Sequence, residues 1–177
     1  ADISFLELLI GRHMNIIPDI IIDTFALNHP VIDMGYKFTI NNKTIAYMTD
    51  FEYYSDIYID FICKNHKEKM IKIKDMVYLH LREKFIEFIK NVDLLIIDSV
   101  YTVEEYPQKL GWGHSTFEDN FENAQRANVK ELCFFHHEPN RSDAQLSEIV
   151  DKFQKQNAKK KILKNVFAAQ EGLTLFL

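Results

Sequence analysis

Residues 25–50 read FALNHPVIDMGYKFTINNKTIAYMTD, and the way this stretch turns back on itself decides the fold. Thr24–Leu27 is apolar and stops at Asn28-His29-Pro30, where Pro30 biases His29 towards extended backbone. The chain resumes as Met34–Ile40, turns at Asn41-Asn42 and runs back through Thr44–Met48 to Thr49-Asp50. Two strand-like runs on either side of Asn-Asn predict a hairpin. Because a hairpin returns the chain to where it began, Asp50 is expected near the His29 end.

Upstream, residues 2–9 (ISFLELLI) predict a strand that leads through Gly11-Arg12-His13 to a second strand over Asp19–Leu27. Downstream, Phe51–Lys64 is rich in aromatic residues. Tyr53, Tyr54, Ile57, Tyr58, Phe61 and Ile62 would share a helical face, which Asp56 and Asp60 weaken. Met70, Ile73, Val77, Leu81, Phe85 and Phe88 recur at three- and four-residue spacings, predicting a long amphipathic helix over 66–90. Asp93–Asp98 is a short apolar run closed by an acid, as expected of a strand buried on both faces. A loop follows with the only tryptophan, Trp112, between two glycines. Ser115 and Glu118 have capping-box spacing ahead of a helix faced by Phe117, Phe121 and Ala124. Leu132–Phe135 predicts another buried strand. Ser142 with Gln145 repeats the capping pattern before a helix faced by Leu146, Ile149, Val150 and Phe153. Val166–Leu177 predicts a last strand, bent near Glu171-Gly172. Antiparallel strands followed by strand-helix units predict a layered α/β domain with helices on a mixed sheet. No repeat or linker divides residues 1–177, which are expected to form a single domain.

With 177 residues and 47% hydrophobic content the chain can bury a real core. A formal charge of −5 and a pI near 5.8 leave no basic footprint for nucleic acid. Cys63 and Cys133 lie far apart in apolar surroundings, as expected of reduced thiols in a cytoplasmic protein. No run approaches the ~20 apolar residues of a membrane span, so no membrane partner is expected.

Three predicted strands end in a residue of ligand or acid-base type: Asp50, Asp98 and His136. His29 and His114 lie in loops leaving such elements. Open α/β sheets place their sites at these ends, and imidazoles with a carboxylate suit zinc, manganese or iron better than calcium or magnesium. Each residue also has an ordinary reading: His29 as a strand-ending turn, Asp50 as a turn or cap residue, Asp98 as a solvated strand terminus. His13, His66 and His80 are expected to be solvated and to take no part. His136-His137 follow four apolar residues and must be paired or liganded if buried. A receiver-like phosphoacceptor would want an acidic pair after its first strand, where residues 10–20 offer only Asp19.

LNHP…MGYKF, AYMTDFE, DLLIIDSVYTVEEYPQKLGWGHST, ANVKELCFFHHEPNRSD and VFAAQEGLTL, in this order, resemble the second half of a metallo-β-lactamase-fold hydrolase of the ribonuclease Z and phosphodiesterase branch. The resemblance covers residues 2–50 and 92–177. It implies a four-layer αββα sandwich of which this chain supplies mainly the second ββα half, with 51–91 as a helical insertion. It implies that His29, Asp50 and His136 are metal ligands, Asp50 bridging two metals, with Asp50 and His114 serving the chemistry. His137 would contact substrate or support a ligand, and Asp98 would orient a ligand histidine or the Gly-His-Ser loop. The reaction implied is attack on a phosphodiester by a metal-bound hydroxide at a dinuclear site. Zinc is expected first, with manganese and iron open, and the substrate would be a small phosphodiester or nucleotide. The family's His-x-His-x-Asp-His motif is absent, and residue 1 falls after its place. With no initiator methionine, the chain is expected to be the C-terminal part of a longer protein. Its missing half would be its first partner, and alone it would supply too few ligands to bind metal and would be inactive. Val31-Ile32-Asp33 stands where related chains have small glycines, which alters access beside His29. The alternative is a degenerate, non-catalytic interaction module of the same fold; homo-oligomerisation is left open.

Overall fold

A computed structural model describes residue 11 and residues 13–64 and 71–177, with backbone alone at 13, 16, 17 and 71–76. Seven strands form one sheet in sequence order: β1 (His13–Ile17), β2 (Ile20–Ala26), β3 (Met34–Ile40), β4 (Lys43–Met48), β5 (Leu94–Asp98), β6 (Glu131–Phe135) and β7 (Asn165–Ala168). β1 to β4 pair antiparallel and β4 to β7 pair parallel. The helices are α1 (Asp56–Lys64), α2 (Ile71–Phe88), α3 (Phe117–Arg126) and α4 (Asp143–Lys160).

The β3–β4 hairpin forms as the sequence predicts. Asn41 and Asn42 both take left-handed backbone, with φ of 49° and 63°, which a two-residue turn of the hairpin twist requires and asparagine tolerates. Ile40 pairs with Lys43 directly beside the turn. From β4 onward each parallel pair needs a crossover. α1 and α2 supply the first, α3 the second and α4 the third. Alternate strand residues Ala46, Met48, Leu95, Ile97, Leu132, Phe134 and Val166 share one core with Phe85 and Ile86 of α2, Phe117 and Phe121 of α3, and Val150 and Phe153 of α4. The helices therefore cover a single face of the sheet. On the opposite face Tyr47, Ile96, Cys133, Phe135 and Phe167 border a shallow cavity of about 350 Å³, partly roofed by Leu173 and Leu175. No helix among the described residues is long and apolar enough to cross a membrane.

Four local expectations are corrected. The Phe51–Lys64 face does not exist as one helix: residues 51–55 are irregular with Phe51 and Tyr53 buried, and within α1 only Ile59 is buried. Of the long helix's predicted stripe, Phe85 is buried and Phe88 packs against the core, but Val77 is exposed. The N-cap of α3 is Thr116, whose hydroxyl accepts from the Asp119 N–H at 3.0 Å; Ser115 is turned inward instead. The last strand stops at Ala168, and Gln170–Leu173 makes a turn. β1 was not anticipated. The strand over 2–9, His66 and Met70 lie outside the described residues, as do the side chains of His13 and Ile73.

Burial in the first turn of α3 pushes the Asp119 carboxyl up to about 6. An acid whose pKa is higher folded than unfolded stabilises the fold when protonated, and that contribution is lost as pH rises through the folded value. Urea denaturation between pH 4 and 6.5 should show wild type losing stability relative to Asp119→Asn as pH rises. A difference independent of pH would contradict the assignment.

Candidate metal centre

The site is built at the C-terminal ends of β4, β5 and β6, which the parallel register brings level: Met48 pairs with Ile97, and Asp98 with Phe135. Asp98 ends the middle strand with a side chain that is 0% exposed. Its Oδ2 accepts from the Phe51 N–H at 3.0 Å and lies 2.6 Å from His114 Nδ1. Its Oδ1 is buried with no hydrogen-bond partner. Asp50 follows β4, and its Oδ1 lies 3.1 Å from His136 Nδ1. The same His136 nitrogen is 3.8 Å from Asp98 Oδ2, an ion-pair distance without hydrogen-bond geometry, and it too is buried without a hydrogen-bond partner.

His136 stands directly after β6 with a left-handed φ of 57°. A β-carbon makes that conformation costly, and such strain survives where the surroundings impose it. Asp98 first, then Asp50, holds the imidazole above its ordinary pKa. His29 leaves β2 through Asn28. Its Nδ1 is 3.1 Å from the Val31 carbonyl, and its Nε2 faces Asp50 Oδ2 at 3.9 Å.

His114 is held by its neighbours. Tyr101 and Thr116 form a parallel bridge, with the Tyr101 N–H donating to the Ser115 carbonyl and the Phe117 N–H to the Tyr101 carbonyl. Ser115 Oγ donates to the Phe51 carbonyl and accepts from the Tyr53 N–H at 3.1 Å. Asn120 Nδ2 donates to the Asp98 carbonyl at 2.6 Å and to Ser99 Oγ at 2.9 Å. Gly113, with φ of 95°, lies so close to His29 and Pro30 that a β-carbon would overlap the imidazole ring and come 2.7 Å from Pro30 Cδ.

One ligand atom each from Asp50, Asp98, His114 and His136 falls within 4.8 Å of the others. His29 lies at the edge of this group, its ring 5.9 Å from that of His114. His137 turns away: its ring stacks 6.2 Å from Phe117 and borders a cavity of about 630 Å³ beside α4 and β7. His80 is exposed, as expected. The solvated reading of Asp98 is overturned by its complete burial at the centre of the cluster. Two carboxylates converging on two imidazoles concentrate negative charge. Asp98 Oδ1 and His136 Nδ1, both ligand-type atoms buried without a hydrogen-bond partner, fit a divalent cation. Glu52, Ser115 and Asn120 escaped the sequence reading. Glu52 looks like one more acid on a polar-aromatic loop, and only its burial marks it.

By sequence, no protein-family model and no curated protein matches the chain. Solved structures do match by shape. The metallo-β-lactamase-fold protein YhfI from Bacillus subtilis aligns at a TM-score of 0.59 with 18% identity, covering 94% of this chain and 53% of that one. The short form of human tRNase Z aligns at 0.58 with 13% identity, covering 93% and 46%. A diphosphatase of the PhnP family aligns at 0.56 with 16% identity, covering 96% and 47%. The chain has the metallo-β-lactamase fold. It spans about half the length of these structures.

The close approach at Gly113 yields a direct test. Gly113→Ala should destabilise the protein in urea denaturation by at least about 1 kcal/mol more than Gly111→Ala. Both positions have positive φ, but at Gly111 the nearest obstacle is the Phe61 ring at 3.3 Å. Equal losses would show that the contact with His29 and Pro30 is not tight.

Proposed function

We propose that the complete protein is a metal-dependent hydrolase that cleaves phosphodiester bonds in a small substrate such as a nucleotide, and that this chain is the half carrying the Asp50–His136 side of its site. The observation that carries the reading is the convergence of Asp50, Asp98, His114 and His136, with Asp98 Oδ1 and His136 Nδ1 buried without hydrogen-bond partners. The shape likeness to a tRNase Z and a diphosphatase supports phosphoryl chemistry. The formal charge of −5 favours a small substrate over a long polyanion unless another segment supplies basic surface.

In this reading Asp50, His29 and His136 would hold divalent metal, Asp50 lying 3.9 Å from His29 Nε2 and 3.1 Å from His136 Nδ1. The nitrogen and oxygen donors favour zinc, with manganese and iron compatible. When bound, the metal supplies Lewis acidity towards a phosphoryl oxygen and acidifies water. His114 keeps Nδ1 on Asp98, which fixes its tautomer and leaves Nε2 to exchange a proton with the reacting groups. Asp98 thus orients His114. His137, turned towards α4, is given a supporting role. The remaining ligands belong to an N-terminal half whose sheet would cover Tyr47, Ile96, Phe135 and Phe167. A reducing cytoplasm suits Cys133, whose thiol burial pushes up to about 12.

Metal analysis of the full-length protein, with hydrolysis of bis(p-nitrophenyl) phosphate, tests the proposal. Bound divalent metal and chelator-sensitive activity are expected. Asp50→Ala and His136→Ala should each lower activity by about 100-fold or more and reduce bound metal. Full metal content and activity in both variants would overturn the assignment. A full-length protein that binds no metal would favour the non-catalytic interaction module instead.

A further inference from the structure

Glu52 is 1% exposed, and burial raises its carboxyl pKa against the pull of its hydrogen bonds. Its Oε1 accepts from the Tyr106 hydroxyl and the Gly111 N–H, each at 2.8 Å, and its Oε2 from the Gly113 N–H at 2.9 Å. A buried carboxylate satisfied by three donors is a strong local anchor, because charge-assisted bonds are about twice as strong as neutral ones. Gly111 and Gly113 both have positive φ, 83° and 95°, which aims two backbone N–H groups of one short loop at the same carboxylate.

The backbone of the same residue is tied elsewhere. The Glu52 N–H donates to the Asn28 carbonyl at 2.9 Å, and the Glu52 carbonyl accepts from Asn28 Nδ2 at 2.9 Å. Asn28 immediately precedes His29, Gly113 immediately precedes His114, and Glu52 lies two residues beyond Asp50. Glu52 therefore joins the three segments that carry His29, Asp50 and His114. Its carboxylate supplies the link to His114.

We propose that Glu52 is a positioning residue whose buried carboxylate clamps the Tyr106–Gly113 loop, setting His114 against Asp98 and beside His29. This rests on the reading of His29, Asp50 and His114 as site residues. Glutamine has the same shape but cannot substitute. Its amide NH₂ would face either the Gly113 N–H or the Tyr106 and Gly111 donors, leaving donor against donor.

The test uses full-length protein and two independent readouts. In metal-free protein, hydrogen exchange at the Gly111 and Gly113 amides should quicken by about tenfold or more in Glu52→Gln, with the amides of β5 and β6 unchanged. On bis(p-nitrophenyl) phosphate, Glu52→Gln should lower kcat by roughly 10- to 100-fold with little change in KM. That penalty should vanish in a His114→Ala background, as expected if Glu52 acts through His114. Tyr106→Phe removes one donor without touching charge and should give smaller effects in the same direction. It serves as the test if Glu52→Gln fails to fold. Unchanged loop protection overturns the clamp. A kcat penalty that persists undiminished without His114 overturns the positioning role. Absence of hydrolysis in wild type would count against the proposed function, and the exchange measurement would still decide the clamp.

Discussion

Asp98 is a carboxylate buried completely at the end of β5, an inner strand of the parallel half-sheet, and the site depends on how its charge is met. Burying an ionised carboxylate is costly unless hydrogen bonds or opposite charge compensate. One oxygen recruits the Phe51 N–H just past Asp50 and the His114 ring from the α3 approach. The other is buried with no hydrogen-bond partner, and Asp98 groups with Asp50, His114 and His136. A single acid thus fixes the segment after β4 and the loop before α3. Its backbone is held from behind by Asn120 of α3, so the helix core and the site share a wall.

Glu52 does comparable work at longer range. Asp98 fixes the rotation of His114, whereas Glu52 and Ser115 fix where the Gly111–Ser115 backbone lies. Buried polar networks of this kind specify one geometry when every member is satisfied. Among the described residues, buried side-chain atoms without a hydrogen-bond partner lie on Asp98 and His136 in the cluster, on His137, and on Asn120, Asn123 and Gln125 of α3.

The fold was legible in the sequence wherever periodicity and turn chemistry agreed. The Asn41-Asn42 hairpin, the apolar runs at Leu94–Asp98 and Leu132–Phe135, and the Ser142 capping box all form as read. The misreadings have physical causes. Ser115 and Thr116 are equivalent as caps by type, and a tertiary bond to Phe51 takes Ser115 away from the helix. Val77 continues a helical stripe on paper but is exposed in α2. For the site, the strand ends place Asp50, Asp98 and His136 together, since register brings them level. Sequence could not show that Asp98 is buried, that His137 turns away, or that Glu52 is enclosed. Those depend on packing between segments 16 to 61 residues apart.

The apolar face bearing Tyr47, Ile96, Phe135 and Phe167 borders a shallow cavity on the side of the sheet away from the helices, and the proposed function assigns that face to the sheet of an N-terminal half. The central claim is that Asp50 and His136 bind a divalent metal at the ends of β4 and β6. Anomalous X-ray diffraction from crystals of the full-length protein grown with zinc, recorded across the zinc edge, tests it most directly. The account predicts a peak within about 2.0–2.2 Å of an Asp50 oxygen and a His136 nitrogen. A peak held by other residues, or none at the ends of these strands, would contradict it.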